Sequence, residues 1–271
     1  MLQNVTIGQY FPGESLIHKI DPRMKIVLIF LMMAAVFVCK SYAALGLSLA
    51  VTVTVVIISR INLKVILKGM KPILIIVIIT GLLNLFYGTG EPLFRFWVFK
   101  ITESGINNAV FMALRVTLLV VIGLMLTYTT TPTSLTDAIE SLLKPLHTLF
   151  KLDIHSLAMT MTIALRFIPT LIEEVDKIMS AQKSRGADME SGSIFKRIKA
   201  IVPVLIPLFV SSFRRAGDLA YAMECRCYRG GEGRTKMKVM HLAARDYISL
   251  AAVLLYIAAL VLIRIFVPSV L

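Results

Sequence analysis

Acidic residues are scarce in this chain: 16 Asp and Glu stand against 29 Lys and Arg in 271 residues, a formal net charge of +13. Cysteine is scarcer still. Cys39, Cys225 and Cys227 are too few for a disulfide framework. Cys225-x-Cys227 without a neighbouring His or further Cys is a weak metal signal, so no metal is expected. No Gly-x4-Gly-Lys-Ser/Thr run is present, which denies the chain a phosphate-binding loop of that kind. His-Glu-x-x-His and Gly-x-Ser-x-Gly are missing too, leaving His147, Asp153, His155, Glu173 and Glu174 as scattered candidates for an intramembrane enzyme. The first twenty residues hold Gly8, Pro12, Glu14 and His18 without a continuous apolar core, unlike a cleaved signal peptide.

What the chain has in excess is apolar surface. Hydrophobic residues make up 57% and charged residues only 17%, and the mean hydropathy is +0.81. These values lie beyond an ordinary soluble domain and place the chain in a bilayer. The basic residues alternate with membrane-length apolar runs, a pattern that fits anionic lipid and membrane orientation rather than nucleic acid. Five stretches are expected to span: Met24 to Cys39, Ala43 to Ser59, Ile73 to Tyr87, Ile106 to Tyr128 and Tyr247 to Val267. Asp21-Pro22 supplies an N-cap and first-turn proline for the first span. Lys40-Ser41 leaves room only for a tight hairpin before the second.

Lys19, Arg23 and Lys25 precede the first span; Arg60, Lys64, Lys68 and Lys71 are expected to fill the second-to-third loop. Twelve further Lys and Arg crowd the segment from Lys183 to Lys238. The positive-inside rule then puts the N-terminus and that segment in the cytoplasm and, with five spans, the C-terminus outside. Phe94, Phe96, Trp97 and Phe99 fall in an outer loop as an interfacial aromatic anchor or a re-entrant packing element. Arg115 lies well inside the fourth span with no intramembrane carboxylate to pair with, and is expected to snorkel toward the outer headgroups.

The long basic segment is expected to divide at its prolines: a short helix from Ser134 to Leu143 stopped by Pro145, an apolar stretch from His155 to Phe167, then two amphipathic helices. The first carries the stripe Ile168, Leu171, Ile172, Val175, Ile178 and Met179. The second, opened by Pro203 and Pro207, carries Phe209, Phe213, Ala216, Leu219, Ala220 and Met223. Each ends in a short arginine motif, Ser184-Arg185-Gly186 and Cys225-Arg226-Cys227, with the arginines 226 − 185 = 41 residues apart. Guanidinium groups at the end of an apolar stripe suit bidentate bonding in a groove on another protein. An arginine at a helix C-terminus also simply complements the dipole, and Gly186 is a common residue just past a helix end. The repetition favours the first reading.

These residues resemble the transmembrane T component of energy-coupling factor transporters, and the likeness covers nearly the whole chain. It is carried by Gly8-Gln9-Tyr10, Pro12-Gly13, Ser15, His18 and Asp21-Pro22-Arg23-Met24-Lys25; by Leu165-Arg166-Phe167-Ile168-Pro169 and Ala181 to Asp188; and by Pro203, Arg214-Arg215-Ala216 and Ala222 to Arg226. In that family paired Ala-Arg-Gly motifs end two coupling helices that dock on two ATPase subunits. The resemblance therefore implies ATPase docking through Ser184, Arg185, Gly186, Cys225, Arg226 and Cys227. Serine replaces the first motif's alanine, and two cysteines replace alanine and glycine in the second, so a backbone approach that needs glycine at position 227 is in question.

The resemblance implies an all-α integral membrane protein of about five transmembrane helices plus a cytoplasmic coupling domain of amphipathic helices. Its parts are a four-span membrane domain over residues 1–128, the coupling domain over 129–245 and a final transmembrane helix over 246–271. It implies a non-catalytic subunit of a prokaryotic vitamin or micronutrient importer, in the cell membrane. The partners it implies are two ATPase subunits, of A and A′ type, which would bind the ATP and Mg, and a substrate-binding S component that topples against the T component in that family. The resemblance implies no cofactor in this chain itself. Ala34, Ala35, Ala43, Ala44, Gly46 and Ala50 around the first hairpin offer a smooth face for that partner or pack the hairpin itself. A stand-alone permease remains the other reading; it calls for polar residues converging in broken spans, and beyond Arg115, Asn84 and scattered threonines the spans have few.

Overall fold

The computed structural model describes residues 10–86, 92–96, 99–150, 153–187, 193–230 and 239–266. In chain order these form α1 (Pro22–Val38), α2 (Tyr42–Ser59), α3 (Leu63–Phe86), the strands β1 (Pro92–Phe96) and β2 (Phe99–Thr102), α4 (Glu103–Thr129), α5 (Pro132–Phe150), α6 (Ile154–Ser184), α7 (Ile194–Cys225) and α8 (Ala244–Phe266). The protein is thus an all-α membrane protein with one short antiparallel hairpin. Phe94, Phe96 and Phe99 lie on its strands, while Trp97 is outside the described residues. Among the described residues six helices, α2, α3, α4, α6, α7 and α8, are long and apolar enough to cross a membrane. At 17 residues α1 is shorter than the roughly 20 a perpendicular span needs.

Contacts divide the chain into two units. Unit 1 takes residues 139–238, and unit 2 takes residues 8–138 and 239–271, so α8 belongs with α1 to α4. In unit 2, α1, α2, α4 and α8 enclose a core of Met32, Val36, Leu45, Phe111, Leu118, Ile122, Tyr256 and Leu260. A second cluster, Val56, Ile66, Met125 and Tyr128, seats α3 on α4. Gly69 is required there, because a Cβ would overlap the Tyr128 hydroxyl. The other faces of α3 expose Leu74, Ile75, Ile78, Ile79 and Leu82, as suits a helix in lipid. Among the small residues of the first hairpin, Ala35 and Ala44 are buried in its packing, whereas Ala34, Ala43, Gly46 and Ala50 face outward.

Two expectations are corrected, for the prolines and for the second-to-third loop. Prolines do not stop helices here: α3 runs through Pro72, α5 through Pro145, α6 through Pro169 and α7 through Pro203 and Pro207. A proline forfeits one helical hydrogen bond, but a full break in or beside a bilayer strands several backbone groups. In consequence Lys64, Lys68 and Lys71 stand on α3 at spacings of four and three, and the connecting loop shrinks to Arg60–Asn62. Arg115 finds a partner that its sequence neighbourhood does not show. Its Nη2 donates to the carbonyl of Cys39, the C-cap of α1, and its guanidinium lies 4.8 Å from the Phe111 ring centroid. The carbonyl end of a helix serves as the missing anionic partner. Finally Lys25, read above only as an orientation signal, is buried.

From Tyr10 onward the N-terminal motif builds a loop. The Phe11 N–H donates to the Tyr128 carbonyl at 3.0 Å, tying the loop to α4. His18 Nε2 stands 3.0 Å from the Phe11 carbonyl, which can only accept, so Nε2 carries the proton and Nδ1 accepts from the Ser15 hydroxyl at 2.6 Å. Burial lowers the His18 pKa, against the raising effect of the Phe11 carbonyl and aided by the charge of Lys25. The unfolded loop therefore takes up its proton first. This stability is present above the unfolded value of about 6.5 and is lost as pH falls through the lower folded value. Hydrogen exchange at the Phe11 amide, corrected for intrinsic rates, is expected to accelerate between pH 7.5 and pH 5.5, and His18→Gln to remove that dependence.

Candidate functional site

The candidate site lies wholly in unit 1, on α6 and α7. Asp153 caps α6 by accepting from the Ser156 N–H at 3.1 Å, and the helix continues for 31 residues to Ser184. Ile168, Leu171, Ile172, Val175, Ile178 and Met179 are all half-buried, while Glu173 and Lys177 are exposed. On α7 the stripe splits. Ala216, Leu219, Ala220 and Met223 line a groove shared with Ile163, Phe167 and Leu171 of α6, whereas Phe209 and Phe213 are exposed.

One polar crossing holds the pair. Glu174 accepts from Arg215 Nη2 at 2.6 Å and from the Ser211 hydroxyl. The groove of about 470 Å³ beside it is lined by residues that precede Glu174 in α6 and follow Ser211 in α7. The helices are therefore antiparallel across the crossing, and their two arginine ends lie at opposite ends of the pair. From Glu174 to the last helical residue of α6 is 184 − 174 = 10 residues, and from Arg215 to the last of α7 is 225 − 215 = 10. The crossing pair is itself 41 residues apart, the same offset as the arginines. This contact was not legible in the sequence, where Glu174 reads as part of a solvated face.

The two helix ends share one backbone design. Arg185 is the C-cap of α6; the Gly186 N–H donates to the Lys183 carbonyl at 2.9 Å and the Ala187 N–H to the Gln182 carbonyl at 3.0 Å. Arg226 is the C-cap of α7; the Cys227 N–H donates to the Glu224 carbonyl at 2.8 Å and the Tyr228 N–H to the Met223 carbonyl at 3.0 Å. Each turn then needs a left-handed residue, supplied by Gly186 at φ 85° and Cys227 at φ 57°. Position 227 thus keeps glycine's conformation without glycine. The side chains of Ser184, Arg185, Cys225, Arg226 and Cys227 are exposed, and so is Gly186. Because a left-handed conformation costs a side-chain-bearing residue about 1 kcal/mol, Gly186→Ala is expected to speed amide exchange at Ala187 about fivefold. Cys227→Gly is expected to slow it at Tyr228 by a similar factor.

The residues proposed for an intramembrane enzyme do not converge. Asp153 is a cap, Glu174 belongs to the crossing, and His155 Nδ1 lies 3.3 Å from Glu140 Oε1. Glu173 is exposed, and the side chain of His147 is outside the described residues. Among the described residues no group of three or more His, Cys, Asp or Glu is placed to hold a metal ion.

Residues 13–237 match the family described as cobalt transport protein, CbiQ. Curated relatives named energy-coupling factor transporter transmembrane protein EcfT align over nearly the full length. The protein of Ruminiclostridium cellulolyticum is 52% identical over 91% of this chain and 92% of its own. That of Clostridium kluyveri is 47% identical over 98% of each, and that of Bacillus subtilis 46% identical over 97% of this chain and 100% of its own. With its multi-pass helical architecture and its repeated arginine turns, the chain belongs to the CbiQ/EcfT family, the transmembrane T components of energy-coupling factor transporters.

Proposed function

We propose that this chain passes the ATP-driven motion of two ATPase subunits, of A and A′ type, to a membrane-embedded S component that binds the substrate, a vitamin or other micronutrient. The observation that carries the reading is the pair of matched turns that present exposed Arg185 and Arg226 at the ends of α6 and α7. Two equivalent ends suit two equivalent grooves, each able to take a guanidinium bidentately. ATP and Mg are bound by the partners, since this sequence has no phosphate-binding loop. The outward faces of Ala34, Ala43, Gly46 and Ala50 supply close-packing surface for the S component. Ser184, Gly186, Cys225 and Cys227 keep the arginines clear of bulky neighbours, and the basic loops set the N-terminus and unit 1 in the cytoplasm and the C-terminus outside.

Reconstituted alone in liposomes, the chain is expected neither to hydrolyse ATP nor to move solute. With the ATPase pair and an S component in the same vesicles, ATP drives uptake. ATP turnover or transport by the isolated chain would overturn this reading in favour of an enzyme or permease.

A further inference from the structure

Unit 2 contains a buried charged collar that the docking ends do not account for. Asp21, Lys25 and Asp246 are 7%, 4% and 2% exposed. Asp246, in the first turn of α8, uses both carboxylate oxygens on backbone: Oδ1 accepts from the Asp21 N–H at 2.9 Å and Oδ2 from the Ala243 N–H at 2.7 Å. The Asp21 carboxylate caps α1 by accepting from the Arg23 N–H at 2.9 Å. Lys25 Nζ donates to the carbonyl of Thr129, the last residue of α4, at 3.0 Å. Its side chain lines a small apolar cavity with Leu28, Thr52 and Ile122. The collar therefore joins the start of α1, the end of α4 and the start of α8.

Its place along the chain gives this arrangement meaning. Unit 2 hands the chain over after Ala138 and receives it back at Val239. Thr129 stands 138 − 129 = 9 residues before the first crossing, and Asp246 stands 246 − 239 = 7 residues after the second. Both covalent routes by which residues 139–238 pull on the membrane helices are pinned, within ten residues, to the same turn of α1. Burying a carboxylate and an ammonium is costly, and apolar residues of similar shape hold helices together at least as well. Stability alone is a poor reason for charge at this position.

We propose that Lys25 and Asp246 are positioning residues for transport: the collar makes the start of α1, the end of α4 and the start of α8 move as one piece, so that displacement of α6 and α7 reaches the membrane helices instead of being absorbed at the crossings. This rests on the coupling role proposed above. Lys25→Met, Asp246→Asn, the double variant and Lys25→Arg are compared with the wild type in the complete transporter in liposomes. ATP hydrolysis, substrate uptake, ATPase copurification and thermal midpoint are measured on the same preparations. Each single neutral variant is expected to lower uptake per ATP at least tenfold, with ATPase copurification retained.

The double variant separates positioning from stability, because removing both charges restores charge balance. Its thermal midpoint is expected to return toward the wild type while uptake per ATP stays at least tenfold low, and Lys25→Arg to keep uptake per ATP within about twofold of wild type. Uptake that recovers along with the midpoint in the double variant, or uptake per ATP unchanged in it, overturns the proposal and leaves the docking reading standing. A wild-type chain that brings down no ATPase overturns both.

Discussion

Replacing Arg185 and Arg226 together by glutamate, or by alanine, is expected to abolish association with the ATPase subunits while leaving membrane insertion and the helical fold intact. Neither guanidinium holds its own turn: the turns are closed by the backbone N–H groups of Gly186, Ala187, Cys227 and Tyr228. Both side chains are exposed, so their loss opens no cavity. Glutamate at a helix C-terminus opposes the dipole by about 0.3–1 kcal/mol, which is why alanine accompanies it. Truncating one partner of a desolvated charged contact costs about 2–5 kcal/mol, and two such losses take a micromolar complex beyond detection. Copurification of tagged chain with the ATPases checks this, with size-exclusion behaviour and circular dichroism as fold controls. A double variant that brings down wild-type amounts of ATPase refutes docking through these arginines.

The second large effect is expected at the crossing. Glu174→Arg sets a second guanidinium against Arg215 and removes the acceptor used by both Arg215 and Ser211. Glu174 is 18% exposed but Arg215 is 42% exposed, so the cost is moderated by solvent to about 2 kcal/mol rather than the full value for a buried pair. That is enough to let α6 and α7 part, and uptake is expected to fall at least tenfold. The exchanged pair, Glu174→Arg with Arg215→Glu, restores opposite charges at the same place. Recovery of uptake and of the thermal midpoint in the exchanged pair is the expected result; an exchanged pair as poor as the single variant means the two side chains do not act on each other.

Much of this was written in the chain in plain form. Composition marks the membrane helices, Asp21-Pro22 marks the start of α1, and the arginines at an offset of 41 mark two equivalent ends. The rest was hidden for identifiable reasons. A proline reads as a stop because one missing N–H and a ring clash are local facts, whereas the penalty for exposing backbone to lipid belongs to the surroundings. Arg115 looked unpaired because its partner is a backbone carbonyl 76 residues away, and carbonyls carry no letter in a sequence. Asp246 reaches the Asp21 N–H only after α1 and α8 are brought together, across a separation of 225 residues. Position 227 was in question for a close backbone approach that needs glycine; its left-handed turn could not be read from cysteine, because the carbonyls to be satisfied at the end of α7 belong to the fold.

The equal distances from the Glu174–Arg215 contact to the two helix ends have a mechanical meaning. At the usual rise each arm is about 15 Å long, so a rotation of about ten degrees at the contact sweeps either tip through roughly 2.6 Å. The two arms are matched: an equal rotation at the contact moves either tip by the same amount, and neither helix has the longer lever.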